Sequence, residues 1–359
     1  MQTQTESAAV LQGDLKDVTI LGIESSCDET SAAVVRDGAL LSNIISSQFF
    51  HSAYGGVVPE LASRAHLKAA IPVIEESLRE AGCAIEDITA VAATQGPGLI
   101  GSLLVGLNAA KGIALSRQIP FIPIHHIEAH LFSPFLHARH PAFPYLALVV
   151  SGGHTLLIVV EAVGQYRLLG STIDDAAGEA FDKVAKMMGL GFPGGPVIDD
   201  RAARGNADAI SFARPLMDSG DYRFSFSGLK TSVLYYLRDR AVDGVLAMND
   251  SEIDDVCAAF QQAAVDVLAA KVLRAAEEFS LHDIALAGGV SANSGLKKEL
   301  LARAADAGRE VYIPDIAFST DNAAMVARLA ELKGLESAEP SLHAPAFARI
   351  TDTLFHENS

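Results

Sequence analysis

The stretch Tyr145-Leu146-Ala147-Leu148-Val149-Val150-Ser151-Gly152-Gly153-His154-Thr155 decides the fold. Its apolar run predicts a buried strand, the small residues after it predict a turn, and Leu156–Val160 predicts the returning strand. The same arrangement occurs near the N-terminus, where the strand Val18–Glu24, the turn Ser25–Thr30 and the strand Ala32–Val35 follow one another. Two similar hairpins predict two related lobes.

The rest of the chain alternates between strands and helices. Asp37-Gly38 is typical of a hairpin turn, and Ile284–Ala287 predicts a strand that runs into the small residues Gly288–Asn293. Apolar residues at helical spacing predict helices over residues 60–80, 99–116, 176–188, 252–279, 294–307 and 320–333. This alternation predicts an α/β fold, with the Pro-containing stretch 134–144 as the natural boundary between lobes.

The composition is that of an ordinary enzyme. The 359 residues, 50% apolar and 20% charged, are enough for two domains with substantial cores. No uninterrupted apolar run reaches membrane-spanning length, and residues 1–17 lack the basic start and apolar core of a signal peptide. The scattered cysteines Cys27, Cys83 and Cys257 fit a reducing, cytoplasmic compartment.

The formal net charge of −17 bears on nucleic-acid binding. Affinity for the nucleic-acid backbone comes from Lys and Arg, so the charge argues against broad nonspecific binding. RNA bound through a local basic patch, or with a partner's help, is compatible with it. Trp is absent and aromatic residues are few, which gives little support for a stacking platform for single strands.

Two histidines in His125-His126-Ile127-Glu128-Ala129-His130 form a candidate metal site. His126 and His130 are four residues apart, so on a helix both imidazoles project from one face and can hold one metal ion. The alternative is a helix start with two hydrogen-bonded imidazoles. Asp321, at the start of a predicted helix, is either a third ligand or a favourable first-turn charge.

Small residues after strands form candidate ligand loops. Ser151-Gly152-Gly153 lets successive backbone N–H groups approach an anion, although a simple hairpin turn has the same composition. Further glycine pairs occur in Gly194-Gly195-Pro196 and Gly288-Gly289, and three such pairs suit a nucleotide cleft. The chain has no P-loop and no Gly-x-Gly-x-x-Gly after a strand, which disfavours the common dinucleotide and Walker folds.

Acidic residues give further candidates. Asp28 and Glu29, in the first turn, can orient a metal or a reacting group, or can simply be solvated. Asp182, on a predicted helix before the glycine pair at 194, can accept hydrogen bonds from ribose hydroxyls, or can be an exposed helix carboxylate. Phe224–Lys230 predicts a loop entering a helix, and its spacing indicates no role.

Eight segments of residues 18–335 together resemble the bacterial TsaD proteins, which are tRNA N6-adenosine threonylcarbamoyltransferases formerly labelled glycoproteases. Many long motifs in the same order make this resemblance specific. The chain differs at Ser319, where the family often has Cys before Thr-Asp-Asn. The segments are Ile20–Thr30, Gly55–His66, His125–His130, Ser151–Thr155, Asp174–Lys183, Phe224–Lys230, Ala287–Asn293 and Thr320–Met325.

The resemblance implies an actin-like ATPase (ASKHA) fold, with two ribonuclease-H-like lobes around a nucleotide cleft. Residues 1–17 would be a disordered extra segment, 18–140 the N-terminal lobe and 141–321 the C-terminal lobe. A C-terminal helix over about residues 322–345 would pack back on the N-terminal lobe.

The family pattern also implies a site and a reaction. Iron, with zinc as an alternative, would be bound by His126, His130 and Asp321. The donor's phosphate and acyl region would lie on Val149, Val150, Ser151, Gly152 and Gly153, and its adenosine on Asp182, Gly195, Asp199 and Asn293. The donor would be threonylcarbamoyl-AMP, the acceptor N6 of adenosine 37 in tRNA, and the partner proteins TsaB and TsaE. No general base stands out, and Asp28 and Glu29 are candidates.

Three rival functions differ in what they require. A metalloprotease of the His-Glu-x-x-His kind needs Glu directly after the first histidine, whereas here Ile127 follows His126 and Glu128 lies about 200° around the helix. An ATPase or sugar kinase of the same fold would release phosphate from ATP without tRNA. A non-catalytic scaffold such as TsaB lacks the metal histidines and much of the glycine set.

Overall fold

The computed structural model describes residues 18–54, 56–242, 245–246, 248–334, 342–349 and 354–355, so the segment 1–17 lies outside it. The strands are β1 (Thr19–Glu24), β2 (Glu29–Arg36), β3 (Ala39–Ser47), β4 (Ala90–Gly96), β5 (Phe121–His125), β6 (Tyr145–Val150), β7 (Thr155–Ala162), β8 (Gln165–Ser171), β9 (Ala241–Val242), β10 (Val245–Leu246), β11 (Asp283–Ala287) and β12 (Glu310–Tyr312). The α-helices are α1 (Pro59–Glu80), α2 (Ile100–Arg117), α3 (His126–Leu131), α4 (Ala177–Met187), α5 (Gly194–Ala202), α6 (Ser227–Arg238), α7 (Asp250–Glu278), α8 (Ser294–Asp306), α9 (Ile316–Ser319) and α10 (Ala323–Lys333). Short 3-10 helices cover Phe49–Tyr54, Ile85–Asp87, Ser133–Leu136, Ala207–Ala209 and Gly289–Ala292.

The described residues form two compact units, each built on a five-stranded sheet. The first unit contains residues 18–49, 57–136 and the described part of 321–349, and its strand order is β3-β2-β1-β4-β5. The second contains most of residues 137–320, and its strand order is β12-β11-β6-β7-β8. Read from β8 to β12, the second order matches the first: the first strand of each unit is central, with its hairpin partners on one side and the two later strands on the other. The two hairpins predicted from the sequence therefore begin two sheets of the same plan.

Each sheet is mixed in the same way. In the first unit β1, β2 and β3 pair antiparallel, whereas β1, β4 and β5 pair parallel. In the second unit β6, β7 and β8 pair antiparallel, and β6, β11 and β12 pair parallel. The central strands β1 and β6 are buried along their whole length, which explains their nearly continuous apolar sequences. The α/β class predicted from the sequence is confirmed.

The predicted turn at Asp37-Gly38 is present between β2 and β3. Asp37 has φ +46° and Gly38 has φ +81°, the two positive values that a tight hairpin of this kind requires. The sequence did not predict β3, because its side chains are mostly half-buried and no strict alternation marks it.

The last helix, α10, packs on the central strand of the first unit. A Cβ added at Gly22 in β1 would lie 2.6 Å from the carbonyl oxygen of Ala323, so only glycine admits the helix backbone this closely. The helix ends at Lys333, before Gly334 with φ +74°, and residues 342–349 contain no helix. The helical spacing, which ends at residue 333, predicted this end correctly. The extension to about residue 345 that the resemblance implied was wrong, because Gly334 supplies the positive φ that ends α10.

The long helix α7 is the core helix of the second unit. It is apolar and long enough to span a membrane, but 78% of its most apolar window is buried inside the protein. Its hydropathy is explained by packing against β6, α5, α6 and α8.

Candidate functional site

The three predicted metal ligands come together in the first unit. His126 and His130 lie on α3, and Asp321 directly precedes Asn322, whose side chain caps α10 by accepting from the N–H of Met325 at 3.1 Å. Asp321 Oδ1 lies 3.1 Å from His130 Nε2 and 3.5 Å from His126 Nε2. All three ligand atoms lie within 4.8 Å of one another.

This donor set fits a divalent metal ion. Two imidazole nitrogens and one carboxylate oxygen suit zinc or iron(II). Metal bonds of about 2.0–2.1 Å at tetrahedral or octahedral angles place neighbouring ligand atoms about 2.9–3.4 Å apart. The distances from Asp321 Oδ1 to the two histidines are close to that range, and both imidazoles are buried. The three ligand atoms lie within 4.8 Å of one another, so the cluster can accept one ion if the two imidazoles move closer together.

Glu24 orients the first histidine. Its Oε2 lies 3.3 Å from His126 Nδ1 and accepts the hydroxyl of Thr94 at 2.6 Å, at the end of β4. A carboxylate on Nδ1 fixes the ring so that Nε2 faces the ligand position, as in many histidine metal sites. Burial alone would lower the pKa of His126, but Asp321 and Glu24 outweigh it and raise that pKa to about 9. The surroundings of His126 thus favour positive charge.

The predicted acidic turn lies beside this cluster in the same unit. Burial, with Asp321 and Asp28, raises the pKa of Glu29 to about 9. A cation held by the three ligands would oppose this shift and favour the ionised carboxylate. The charge of Glu29 therefore depends on the occupant of the cluster.

A buried histidine from α1 holds the acidic turn. His66 Nε2 lies 2.9 Å from the carbonyl oxygen of Cys27, which can only accept, so Nε2 carries the hydrogen. His66 Nδ1 lies 2.7 Å from Thr30 Oγ1. One imidazole therefore contacts residues on both sides of Asp28 and Glu29.

Glu128, the residue on which a protease would depend, is used elsewhere. It is buried, and its Oε2 lies 2.6 Å from Lys333 Nζ on α10. This ion pair joins α3 to α10 on a different face of α3 from the two ligands. The geometry gives Glu128 a structural partner and no place as a water-activating base.

The predicted phosphate loop is a tight turn in the second unit. Ser151 N–H donates to the carbonyl oxygen of His154 at 2.8 Å, and His154 N–H donates to Ser151 Oγ at 3.1 Å. Added Cβ atoms at Gly152 and Gly153 would meet no atom within 4 Å, so both amides can be approached closely. Val149 and Val150 end β6, buried below the turn.

The predicted adenosine residues also lie in the second unit. Asp199, on α5, accepts from Asn293 Nδ2 at 3.2 Å and from the N–H of Ser294 at 2.9 Å. Asp182 Oδ1 accepts the N–H of Gly194 at 2.7 Å, at the start of α5. An added Cβ at Gly195 would meet nothing within 4 Å. Helix α5 therefore joins the three residues: Asp182 binds its first residue, and its Asp199 binds Asn293 at the start of α8.

Sequence reasoning missed four residues that support these groups: Glu24, His66, Gln261 and Ser294. Glu24 could have been found as an acid closing an apolar strand, and His66 as a polar residue on the buried face of α1. Gln261 lies inside α7, where it donates to Asp199 Oδ1 at 3.0 Å, and nothing in its sequence context marks it.

Two solved structures that share this fold are distant from the chain in sequence. Full-length HypF in its phosphate- and nucleotide-bound form matches with a TM-score of 0.59 and 14% identity, over 92% of this chain and 48% of that one. The Acidaminococcus fermentans (R)-2-hydroxyglutaryl-CoA dehydratase component A matches with a TM-score of 0.52 and 17% identity, over 89% of this chain and 99% of that one. The protein is thus of the actin-like ATPase fold class, as predicted.

Sequence comparison identifies the family. The family model described as "TsaD: tRNA N6-adenosine threonylcarbamoyltransferase" matches residues 39–328. Curated proteins of that same name include one from Porphyromonas gingivalis, 50% identical over 94% of this chain and 99% of its own. Another, from Syntrophotalea carbinolica, is 52% identical over 86% of this chain and 89% of its own. The chain belongs to the TsaD family, and the predicted enzyme class, a tRNA-modifying transferase, is confirmed.

Proposed function

We propose that the chain transfers the threonylcarbamoyl group of threonylcarbamoyl-AMP to N6 of adenosine 37, in tRNAs that read codons starting with A. The products are N6-threonylcarbamoyladenosine and AMP. The observation that carries this proposal is the cluster of the buried His126 and His130 with the half-buried Asp321, in a member of this transferase family. Glu24 orients His126 within it. We place the reaction in the cytoplasm, in keeping with the free thiols of Cys27, Cys83 and Cys257.

The three ligands would hold one metal ion, which we propose to be iron(II), with zinc as the alternative that the donor set also suits. Bound there, the ion would supply Lewis-acid stabilisation of charge that develops on the transferred group. The chain's own contribution is the fixed position of the ligands. Glu24 sets the ring of His126, and the cap by Asn322 sets the start of α10 directly after Asp321.

We assign the adenylate half of the donor to the second unit. We place its phosphate and acyl region on Val149, Val150, Ser151, Gly152 and Gly153. The N–H groups of Gly152 and Gly153 can donate to the phosphate without obstruction by side chains, whereas the N–H of Ser151 is already bonded to His154. For its adenosine we propose a set of four residues that lie on α4, on α5 and directly before α8. Asp199 Oδ1 already accepts from Gln261, Asn293 and the hydroxyl of Ser294. Its Oδ2 accepts only the N–H of Ser294 in the described structure, which leaves an acceptor site for a ribose hydroxyl. This set is Asp182, Gly195, Asp199 and Asn293.

The attacking N6 amine must lose a proton, and Asp28 and Glu29 are our candidates to accept it. Both lie in the turn that His66 holds at Cys27 and Thr30. A carboxylate accepts a proton only when ionised, so a cation in the neighbouring cluster would favour this role. In this proposal the positive charge held by the cluster keeps a neighbouring carboxylate ionised, and the ionised carboxylate accepts the proton from N6.

The central test is nucleoside mass spectrometry of tRNA from cells depleted of this protein. We expect threonylcarbamoyladenosine to disappear, to return with the wild-type gene, and to stay absent with the His126→Ala variant. Normal levels of the modified nucleoside in depleted cells would refute the proposal.

TsaB and TsaE are the partner proteins that we propose for tRNA handling. At −17 the chain alone is poorly suited to bind an RNA backbone. An exposed apolar surface across α1 and α2 fits a protein partner, for which we propose TsaB. It comprises Leu67 (67% exposed), Ile71 (55%), Ile100 (42%) and Leu104 (43%).

Binding assays test this partnership. The isolated chain should bind tRNA weakly, and more tightly once both partners are added. Leu67→Arg should weaken the effect of TsaB, whereas Leu115→Arg, at a position 66% exposed near the end of α2, should not. Tight, salt-sensitive tRNA binding by the chain alone would contradict the need for partners. Equal behaviour of the two variants would exclude this surface.

A further inference from the structure

The first turn of α4 contacts the Ser151–Gly153 turn directly. Gly178 N–H donates to the carbonyl oxygen of Ser151 at 3.2 Å, and Ala177 N–H donates to Thr155 Oγ1 at 3.0 Å. The first N–H groups of a helix have no acceptor inside the helix. Here two of them bind residues on either side of the glycines.

This contact decides where the amide of Gly152 points. The peptide bond between Ser151 and Gly152 is trans, and in a trans peptide the C=O and N–H groups point in opposite directions. Because the carbonyl of Ser151 points to Gly178, the N–H of Gly152 points away from α4. That N–H is one of the groups assigned above to the phosphate.

Gly178 allows this close approach. A Cβ added there would lie 2.6 Å from the carbonyl oxygen of Ser151 and 2.9 Å from the Cα of Gly152. Neither atom belongs to a flexible side chain, so a larger residue would displace the turn from the helix. The orientation of the Gly152 amide therefore depends on a glycine in α4.

The chain just before α4 is fixed by the segment Phe224–Lys230. Ile173 N–H donates to the carbonyl oxygen of Phe224 at 2.9 Å, and Phe224 N–H donates to that of Ser171 at 3.0 Å. These two bonds extend β8 with a short parallel bridge between Thr172 and Phe224. The start of α4 is thereby tied to the chain that leads into α6.

Two neighbouring carboxylates complete this support. Asp174 Oδ1 accepts the N–H groups of Phe226 at 2.8 Å and Ser227 at 3.2 Å, at the start of α6, where a negative charge is favourable. Asp175 binds Lys183 of α4 at 2.8 Å and Lys230 of α6 at 2.5 Å. The two residues before Ala176 therefore join both helices.

We propose that α4 is a positioning element for the donor's phosphate: Gly178 orients the Gly152 amide, and Lys230, through Asp175, holds α4 in place. This gives the segment Phe224–Lys230 a role that its spacing did not indicate. The inference deepens the proposed function and rests on the donor being an adenylate. It concerns recognition of the phosphate, and it is tested without the transfer reaction.

Calorimetric titration of the full chain with AMP and with adenosine separates the phosphate from the nucleoside. Gly178→Ala should weaken AMP binding by about tenfold, the scale of one lost charge-assisted hydrogen bond, and leave adenosine binding unchanged. The matched control is Gly112→Ala, also a glycine inside a helix, where an added Cβ meets nothing within 4 Å. It should bind both ligands as the wild type does.

Three results would overturn the inference. They are an unchanged affinity of Gly178→Ala for AMP, an equal loss for AMP and adenosine, and a wild-type chain that binds AMP no better than adenosine. Loss of the modified nucleoside in depleted cells is a separate readout. The cell experiment can therefore refute the proposed transfer while the chain still prefers AMP to adenosine. Conversely, the titration can refute the role of α4 while the modified nucleoside still disappears from depleted cells.

Lys230→Met tests the more distant support and keeps the inference falsifiable if Gly178→Ala does not fold. We expect a loss of about threefold for AMP alone, the scale of one weakened ion pair, and recovery in Lys230→Arg. Arg238→Met, on the same helix and paired only locally with Asp239 in the described structure, should have no effect. If Lys230→Met and Arg238→Met behave alike, the role of Lys230 is refuted.

Discussion

The two units share one sheet plan but differ at the turn that follows the central strand. In the first, β1 ends in Glu24 and leads into Asp28 and Glu29, beside the candidate metal ligands His126, His130 and Asp321. In the second, β6 ends in valine and leads into Ser151–Gly153, which offers backbone amides. The same sheet plan therefore leads into acidic side chains in one unit and into exposed glycines in the other.

The interiors of the two central strands differ as well. Gly22 and Leu148 each lie two residues before the end of their strand. In the first unit the backbone of α10 approaches Gly22 closely, whereas Leu148 is fully buried among side chains of the second core. Strand β1 is therefore packed against a helix backbone at this point, and β6 against side chains. Substitutions at Gly22 and Leu148 should lower the stability of the protein for different reasons.

The largest expected effect is that of His126→Ala in the first unit. Removing one of three ligands should abolish metal retention, and the lost Lewis-acid contribution should lower transfer by about 100-fold or more. Elemental analysis and circular dichroism check metal content and folding, with the exposed His282→Ala as control. Unchanged metal content in a folded variant would show that the cluster is not the metal site.

Glu24→Gln should have a smaller effect on the same cluster. It replaces the carboxylate that orients His126, so we expect the metal affinity to fall by about 10–100-fold, with full occupancy recovered at high metal concentration. Competition with a chelator measures this affinity. Glu60→Gln, at a carboxylate 76% exposed on α1, is the matched control. Equal affinities for the two variants would remove the orienting role of Glu24.

Substitutions at Leu148 and Gly22 should both lower the stability of the protein, one by leaving a cavity and the other by overpacking. Leu148→Ala creates a cavity and should lower the free energy of unfolding by about 2–5 kcal/mol. Gly22→Ala overpacks β1 against α10 and should lower it by about 1–3 kcal/mol. Urea denaturation of each variant checks the values. A neutral Gly22→Ala would mean that α10 can shift away from β1 without cost.

The smallest effect on activity is expected for Glu128→Gln. The substitution breaks the ion pair with Lys333 and should lower the free energy of unfolding by about 1 kcal/mol, while metal content and transfer stay near wild-type values. Lys333→Met is the reciprocal control. A loss of transfer in Glu128→Gln but not in Lys333→Met would restore Glu128 as a reacting group.

Much of the fold was predictable because it depends on local patterns. Apolar runs that end in small or acidic turns gave both hairpins, and helical spacing gave the main helices to within a few residues. Helical spacing also placed the end of α10 at residue 333, as observed, whereas the family resemblance extended the helix to about residue 345. Strand β3 was missed because half-buried strands lack a clear alternation.

Of the site, the sequence by itself determined the residue types: two histidines one helical turn apart, an acidic turn, a glycine turn and Asp321 at a helix start. Which groups meet was decided only by the tertiary structure. Glu24 reaches His126 across two strands, and His66 reaches the acidic turn from another helix. The physical reason is that spacing specifies neighbours within one helix or turn. Contacts between residues far apart in sequence depend on how the sheet and its helices pack.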